Sequence, residues 1–389
     1  MKQKRRLCVG ATLVLVLVAL GVGQMALEKA AVAQGGSAMQ VPTFQVDPMW
    51  PKPLPNHWLL GTVIGVAFDS KDHVWILHRP RSVAVNEQGL VTFPPTPDRN
   101  GKVTPNDRSR GTFSQICCRP APPVLEFDQE GNLLRHWGGA GAGYEWPLSE
   151  HGLYVDYKDN VWIGGSGEGD AQVLKFSQDG KLLLQIGHHG KSRGSNDTEN
   201  FNRPTNIDVD PATNEVYVSD GYGNTRVIVF DADTGKYKRH WGAYGKKPDD
   251  KDPDIVGETA GTTRYDPKAP PIKQFRTSHA VALSKDGLVY VCDRGNDRIQ
   301  VFKKDGTYVT ETFVEKSTLR SGSVWDVDFS KDPQQTFLYV ADGENNRVHI
   351  LRRNPLQVVS FFGDGGRMPG LFYGVHNLAV DSKGNIFTA

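Results

Sequence analysis

Six stretches of the chain share one alternation of apolar with polar or small positions, each followed by a short polar turn and a second apolar run. They are Gly65–Asp69 with Val74–His78, Gly152–Asp156 with Val161–Gly164, Asn206–Asp210 with Val216–Ser219, Ala280–Ser284 with Val289–Cys292, Asp326–Ser330 with Leu338–Ala341, and Asn377–Asp381 with Ile386–Thr388. A period of two, with Asp, Lys, Asn or Gly in the turn between, predicts a hairpin of half-buried strands each time. Successive starts lie 87, 54, 74, 46 and 51 residues apart. The shorter spacings match the roughly 40 to 50 residues of a four-stranded propeller blade. Three of the hairpins are followed by a matching outer pair: Val124–Phe127 with Leu133–Gly138, Val173–Phe176 with Leu182–Gly187, and Val227–Phe230 with Tyr237–Gly242. Four strands per unit and six units predict an all-β, six-bladed β-propeller over residues 43–389.

The two long spacings are explained by inserts near residues 91–119 and 246–273, which are polar and Pro-rich and read as loops rather than extra blades. The sixth unit has its two inner strands and then the sequence stops at Ala389, which reads as a C-terminal truncation. Phe44–Trp50 is expected to supply one outer strand and close the ring.

Ahead of the repeats, Lys2, Lys4, Arg5 and Arg6 precede an uncharged run from Leu7 to Val22, and Ala31-Val32-Ala33 comes after it. That order is a cleavable export signal over residues 1–33, with 34–42 as a linker, and it places the mature protein outside the cytoplasm, secreted or periplasmic. Once the signal is removed, no remaining segment is apolar enough to cross a membrane. The whole chain has a formal net charge of +1, with 45 Lys and Arg against 44 Asp and Glu, which gives no electrostatic case for nucleic acid. Cys117, Cys118 and Cys292 are too few for a disulfide scaffold. Adjacent cysteines pair with each other only through a strained ring, so pairing of either one with Cys292 stays open.

The end of the inner hairpin carries a second repeat: Asp220 with Asn224 and Arg226, Asp293 with Asn296 and Arg298, and Asp342 with Asn345 and Arg347. Charged groups that recur with the fold read as braces. This pattern resembles the NHL-repeat propellers.

The residue before each inner run is Ile64, His151, Thr205, His279, Trp325 and His376 in turn. Histidine occupies blades 2, 4 and 6, about 120° apart in a six-fold ring, at the mouth where the innermost strand begins. Three imidazoles converging on the axis have the geometry of a three-histidine zinc site with an open fourth position. Arg79, Tyr222 and Arg294 come directly after second strands and reach the same mouth. Two guanidinium groups bind an anion and favour the ionised form of a nearby phenol, so the set reads as a site for a carboxylate-bearing substrate. His136 and His240 sit in outer strands, His188 and His189 in a Gly-rich loop, and His57, His73, His78 and His349 match no constellation, so all read as surface or packing residues.

From Trp50 onward the chain resembles the lyase domain of peptidylglycine amidation enzymes, peptidyl-α-hydroxyglycine α-amidating lyase. The resemblance rests on Leu60–Asp69 with His78-Arg79, His151-Gly-Leu, Arg203–Asp210 with Val216–Tyr222, Ser278-His279 with Cys292-Asp-Arg294, and Val375-His376-Asn377. It implies that His151, His279 and His376 bind zinc, that Tyr222 is the base, and that Arg79 and Arg294 hold the substrate carboxylate and flank the tyrosine. It also implies a structural calcium held by the backbone carbonyls of Val66, Leu153 and Asn377. The implied reaction cleaves the C–N bond of a carbinolamide to a peptide amide and glyoxylate. Animal members have a cysteine directly after the tyrosine, where this chain has Gly223, and their disulfides are not reproduced. No copper monooxygenase sequence precedes the propeller here. Two other readings stay open: an NHL module that binds a protein partner without catalysis, and a lactonase-like metal hydrolase, whose acidic ligands find no match.

Overall fold

Valine, isoleucine and aromatic side chains at the alternating positions fold into a propeller whose blades are five four-stranded sheets and one two-stranded sheet in the computed structural model. It describes residues 40–84, 87–92, 117–255 and 266–389, with short strand pairs at 96–97, 103–104 and 112–113. The segment expected to be an export signal, residues 1–33, lies outside the described residues. Residues 40–44 carry no regular structure, and the propeller is formed within Gln45–Ala389.

Each sheet is an antiparallel meander running from the axis outward. Blade 1 is Thr62–Phe68, Val74–Arg79, Val124–Phe127 and Leu133–Trp137; blade 2 is Glu150–Val155, Val161–Gly165, Gln172–Phe176 and Leu182–Gly187. Blade 3 is Asn206–Asp210, Glu215–Asp220, Arg226–Asp231 and Tyr237–Trp241; blade 4 is Ser278–Leu283, Leu288–Asp293, Arg298–Lys303 and Tyr308–Phe313. Blade 5 is Asp326–Phe329, Phe337–Asp342, Arg347–Arg352 and Gln357–Phe362, and the two-stranded sixth blade is Leu378–Val380 with Ile386–Thr388. Each inner strand touches the next, and the sixth touches both the fifth and the first, so the inner ring is closed. Among the described residues no helix is long and apolar enough to cross a membrane.

Three expectations change. The second and third strands are buried on both faces, as in Val161–Gly165 and Gln172–Phe176, rather than half-buried. Blades stack face to face, so each sheet packs on a neighbour from either side, and only outer strands such as Gln357–Phe362 alternate between exposed and half-buried. Phe44–Trp50 forms no strand. Pro48 and Pro51 have no N–H to give a ladder. The seam is closed by side chains instead: the Trp50 ring lies 5.6 Å from Phe127 and 4.9 Å from Phe387, joining blades 1 and 6. Finally, Cys117 pairs with its neighbour Cys118, and Cys292 is a free thiol. Cys292 lies in a second strand inside the core, and burial pushes its pKa well up. The first insert builds short ribbons of its own, Leu90–Thr92 with Thr112–Phe113 and Thr96–Pro97 with Val103–Thr104, and among its described residues no further blade.

The recurring Asp and Arg are braces. Arg226 and Asp220, both fully buried, are 2.8 Å apart, and Asn224 donates to the same carboxylate at 2.7 Å. The Arg226 guanidinium also donates to the Ser195, Asp197 and Asn200 carbonyls, pinning the loop before blade 3. Arg298 repeats the pair with Asp293 at 2.8 Å. In blade 5 the third copy differs: His349 Nε2 meets Asp342 at 2.9 Å, and Arg347 lies over the Phe361 ring. Arg226→Ala strands a buried carboxylate and three carbonyls. It should destabilise the protein by about 3–5 kcal/mol in chemical denaturation. Arg320→Ala, which removes an exposed pair with Glu344, should cost less than about 1 kcal/mol.

Candidate active site

A local irregularity in the inner strands aims the histidines. Pairing between inner and second strand slips by one residue between His151 and Leu153 in blade 2, and between Ser278 and Ala280 in blade 4. Such a bulge re-aims the side chain beside it. Gly152 has φ +70°, and a Cβ there would come within 2.9 Å of the Thr205 carbonyl oxygen, so the slip in blade 2 needs glycine. The three imidazoles converge. His151 and His279 ring centres are 5.3 Å apart, His279 and His376 5.0 Å, and His151 and His376 4.7 Å. One ring nitrogen from each lies within 4.8 Å of the other two.

The remaining residues of the same register hold these rings. His151 Nδ1 is 2.7 Å from the Thr205 carbonyl, and His279 Nδ1 is 2.5 Å from the Trp325 carbonyl. A carbonyl only accepts, so both Nδ1 atoms carry the proton and both Nε2 atoms keep a free lone pair. His376 makes the corresponding backbone approach to Ile64, although its Nδ1 lacks a hydrogen bond of ordinary geometry. Each even blade therefore presents an imidazole and each odd blade a carbonyl. Burial, aided by the neighbouring imidazoles and guanidinium groups, pushes the pKa of His151 and His279 well below the usual value, and that of His376 down to about 3. All three are neutral at neutral pH, the form that binds a metal. Three neutral nitrogen donors directed at one point fit zinc.

Tyr222 enters this centre from the turn after the second strand of blade 3. Its hydroxyl is 3.3 Å from His151 Nε2 and 3.0 Å from His279 Nε2, and Arg294 Nη1 donates to it at 3.1 Å. Arg294 is buried, with its guanidinium 5.2 Å from the Tyr222 ring and 4.7 Å from the Trp325 ring. Arg79 approaches from blade 1, donating from Nε to the Glu150 carbonyl at 3.0 Å and from Nη2 to Ser166 Oγ at 3.1 Å. Burial lowers its pKa, while the Tyr222 and Glu150 charges act the other way. Among the described residues neither arginine forms an ion pair.

Val66 and Leu153 lie on the inner strands of blades 1 and 2, and Asn377 directly precedes that of blade 6. Val66 N–H donates to Asn377 Oδ1 at 2.6 Å, and the Asn377 amide donates to Asp326. Burial raises the Asp326 pKa to about 8 and that of Asp208 to about 7. The other histidines stay outside the centre. His136 stands edge-on to Trp58, and His240 meets the Tyr237 hydroxyl at 2.8 Å. His188 lies by Glu145, and His189 by Asp170. His78 is buried, accepting the Gly61 N–H and donating to the Pro122 carbonyl, and His349 braces Asp342. His73, Asp69 and Glu126 form a second cluster, but Asp69 is taken up by Lys71, His73 and Trp75, and Glu126 by Arg135.

Peptidylglycine alpha-amidating monooxygenase of Rattus norvegicus is 30% identical over 268 residues, covering 67% of this chain and 22% of that protein. Peptidyl-alpha-hydroxyglycine alpha-amidating lyase 1 of Drosophila melanogaster is 26% identical over 365 residues, 88% of this chain and 57% of that protein. The chain is an NHL-type β-propeller similar to the peptidyl-α-hydroxyglycine α-amidating lyases. NHL repeat-containing protein 3 of Homo sapiens is 28% identical over 247 residues, 61% of this chain and 58% of that protein. In each case the match spans less than two thirds of the relative's length. The family described as Lactonase, 7-bladed beta-propeller matches residues 257–358, whereas the structure has five full sheets and a two-stranded sixth.

Relative to this lyase-like set, sequence reasoning missed Trp325, Glu150 and Ser166. Trp325 stacks on Arg294 and orients His279, and its place in the register of the histidines was the available signal. Glu150 acts through a backbone carbonyl, which no residue type announces. Because the Arg294 charge helps to lower the His279 and His376 pKa values, Arg294→Gln should raise both in the metal-free protein, as read by NMR titration of the imidazoles.

Proposed function

We propose that this chain is an exported, zinc-dependent lyase that cleaves the C–N bond of a peptidyl-α-hydroxyglycine-like carbinolamide, giving an amide and glyoxylate. The observation that carries the reading is one oxygen: the Tyr222 hydroxyl lies within hydrogen-bond reach of two of the three convergent imidazoles and of a buried guanidinium without a carboxylate partner. A zinc ion held by His151, His279 and His376 would supply Lewis-acid chemistry toward the substrate hydroxyl oxygen. The proposed structural calcium would be held by the backbone carbonyls of Val66, Leu153 and Asn377, oxygen donors of the kind a hard cation takes.

In this reading Tyr222, as phenolate, takes the hydroxyl proton, and the electron pair forms the carbonyl of glyoxylate as the C–N bond breaks. The same proton passes from Tyr222 to the departing amide nitrogen, so none is gained or lost. Arg294 donates to the Tyr222 oxygen and steadies its negative charge. Arg79, fixed by Glu150 and Ser166, meets the substrate carboxylate together with Arg294. The two imidazole Nδ1–H bonds keep both rings from turning, so the reacting groups are ordered before substrate arrives.

Tyr222→Phe keeps the ring and removes the proton carrier. Glyoxylate release should fall by about 10²-fold or more in kcat, with zinc content unchanged. Arg79→Ala should mainly raise KM, because it deletes a contact present in the ground state. Alanine at His151, His279 or His376 should reduce zinc stoichiometry far more than alanine at His136 or His240, measured on the purified protein; equal loss at all five would point to unfolding. A folded, zinc-loaded protein that releases no glyoxylate would favour a binding propeller instead.

A further inference from the structure

Tyr222 is carried by a turn with glycine on both sides, and each glycine is in a close contact, Gly221 with the backbone of Ser278 and Gly223 with the side chain of Asn202. A Cβ on Gly221 would lie 2.1 Å from the Ser278 carbonyl oxygen, and one on Gly223 would lie 2.2 Å from Asn202 Cγ. Two glycines leave the tyrosine backbone with more conformational freedom than any other pair would. Gly223 is exposed, so the core does not hold that side of the turn. Yet the Tyr222 hydroxyl must stay within a few tenths of an ångström of its partners, and a misplacement of about 1 Å costs on the order of 10²-fold in rate.

Asn202 and Arg203, in the loop that enters blade 3, make the missing connections. Gly223 N–H donates to the Asn202 carbonyl at 3.0 Å, and the Asn202 side-chain amide returns a bond to the Gly223 carbonyl at 3.2 Å. Arg203 Nη2 donates to the Tyr222 carbonyl at 2.5 Å, a charge-assisted bond. Both clamp residues are themselves anchored. Asn202 N–H donates to Asp220 Oδ1 at 2.9 Å, on the carboxylate that braces Arg226, and Arg203 N–H donates to the Asp170 carbonyl of blade 2 at 2.7 Å. Arg203 adopts φ +60°, a conformation that costs a non-glycine residue energy and that these bonds hold in place.

We propose that Asn202 and Arg203 are positioning residues that clamp the Tyr222 turn between blades 2 and 3 and so aim the phenol at the imidazole centre. The catalytic part of this inference rests on the lyase reading; the clamp itself does not. The test compares Arg203→Ala, Arg203→Lys and Asn202→Ala with the parent protein, using glyoxylate release, zinc content and the NMR signal of ring-labelled tyrosine, with Tyr222 assigned through Tyr222→Phe. Arg203→Ala should lower kcat about 10-fold or more, leave KM within about twofold, keep zinc stoichiometry, and broaden or split the Tyr222 signal. Arg203→Lys retains a cationic donor and should recover part of kcat and a single signal, and Asn202→Ala should behave as Arg203→Ala. An unchanged Tyr222 signal with unchanged kcat in both alanine variants overturns the proposal. So does a loss of kcat that tracks lost zinc or a lost fold in all three variants, because the residues then act on the scaffold and not on the tyrosine. If the parent protein releases no glyoxylate, the Tyr222 signal alone decides the clamp, separately from the failure of the lyase reading.

Discussion

The centre of this propeller depends on a hydrogen bond between neighbours: an imidazole N–H of one blade given to a backbone carbonyl of the next. It fixes the proton on the far side of the ring, leaves the lone pair facing the axis, and does so at the junction that holds the ring of blades together. Burial, against the pull of the bond itself, keeps these imidazoles uncharged, and Tyr222 bonds to two of them. A blade taken alone has half of each such bond, so neither the fold nor the centre belongs to a single repeat.

Charge is handled in two ways in one molecule. Arg226 and Arg298 are buried and met by Asp220 or Asp293 and by backbone carbonyls, Arg298 also by Tyr244 and Glu311, and they act as mortar between loops and blades. Arg294 is as deeply buried, but it rests on two aromatic faces and one phenol, without a carboxylate. Burying a cation without a counter-charge is costly in a folded protein. In the proposed lyase reading, this cation and Arg79 are the groups left to meet an anionic part of the substrate.

Much of this was legible in the sequence because it resides in side-chain types placed by the repeat. The inner strands, the braces and the three histidines out of step with their neighbours all emerge from lining up the units. What was hidden is carried by the backbone or by distant segments. The Thr205 and Trp325 carbonyls that orient the imidazoles look the same in any residue. Phe44–Trp50 has the apolar pattern of a strand, but its prolines deny it a ladder, and Trp50 closes the seam by packing instead. The two-sided burial of middle strands was invisible to an alternation rule, since it arises from blade against blade.

The division of labour around the ring has an arithmetic consequence. If blades take turns offering a ring and a receiving carbonyl, each kind must always meet the other, and that is possible only when the blades can be counted off in pairs. A seventh blade inserted anywhere would set two of one kind side by side and spoil the three-fold meeting at the axis. Gaining or losing one blade would therefore not simply widen or narrow this centre; it would break the alternation that builds it.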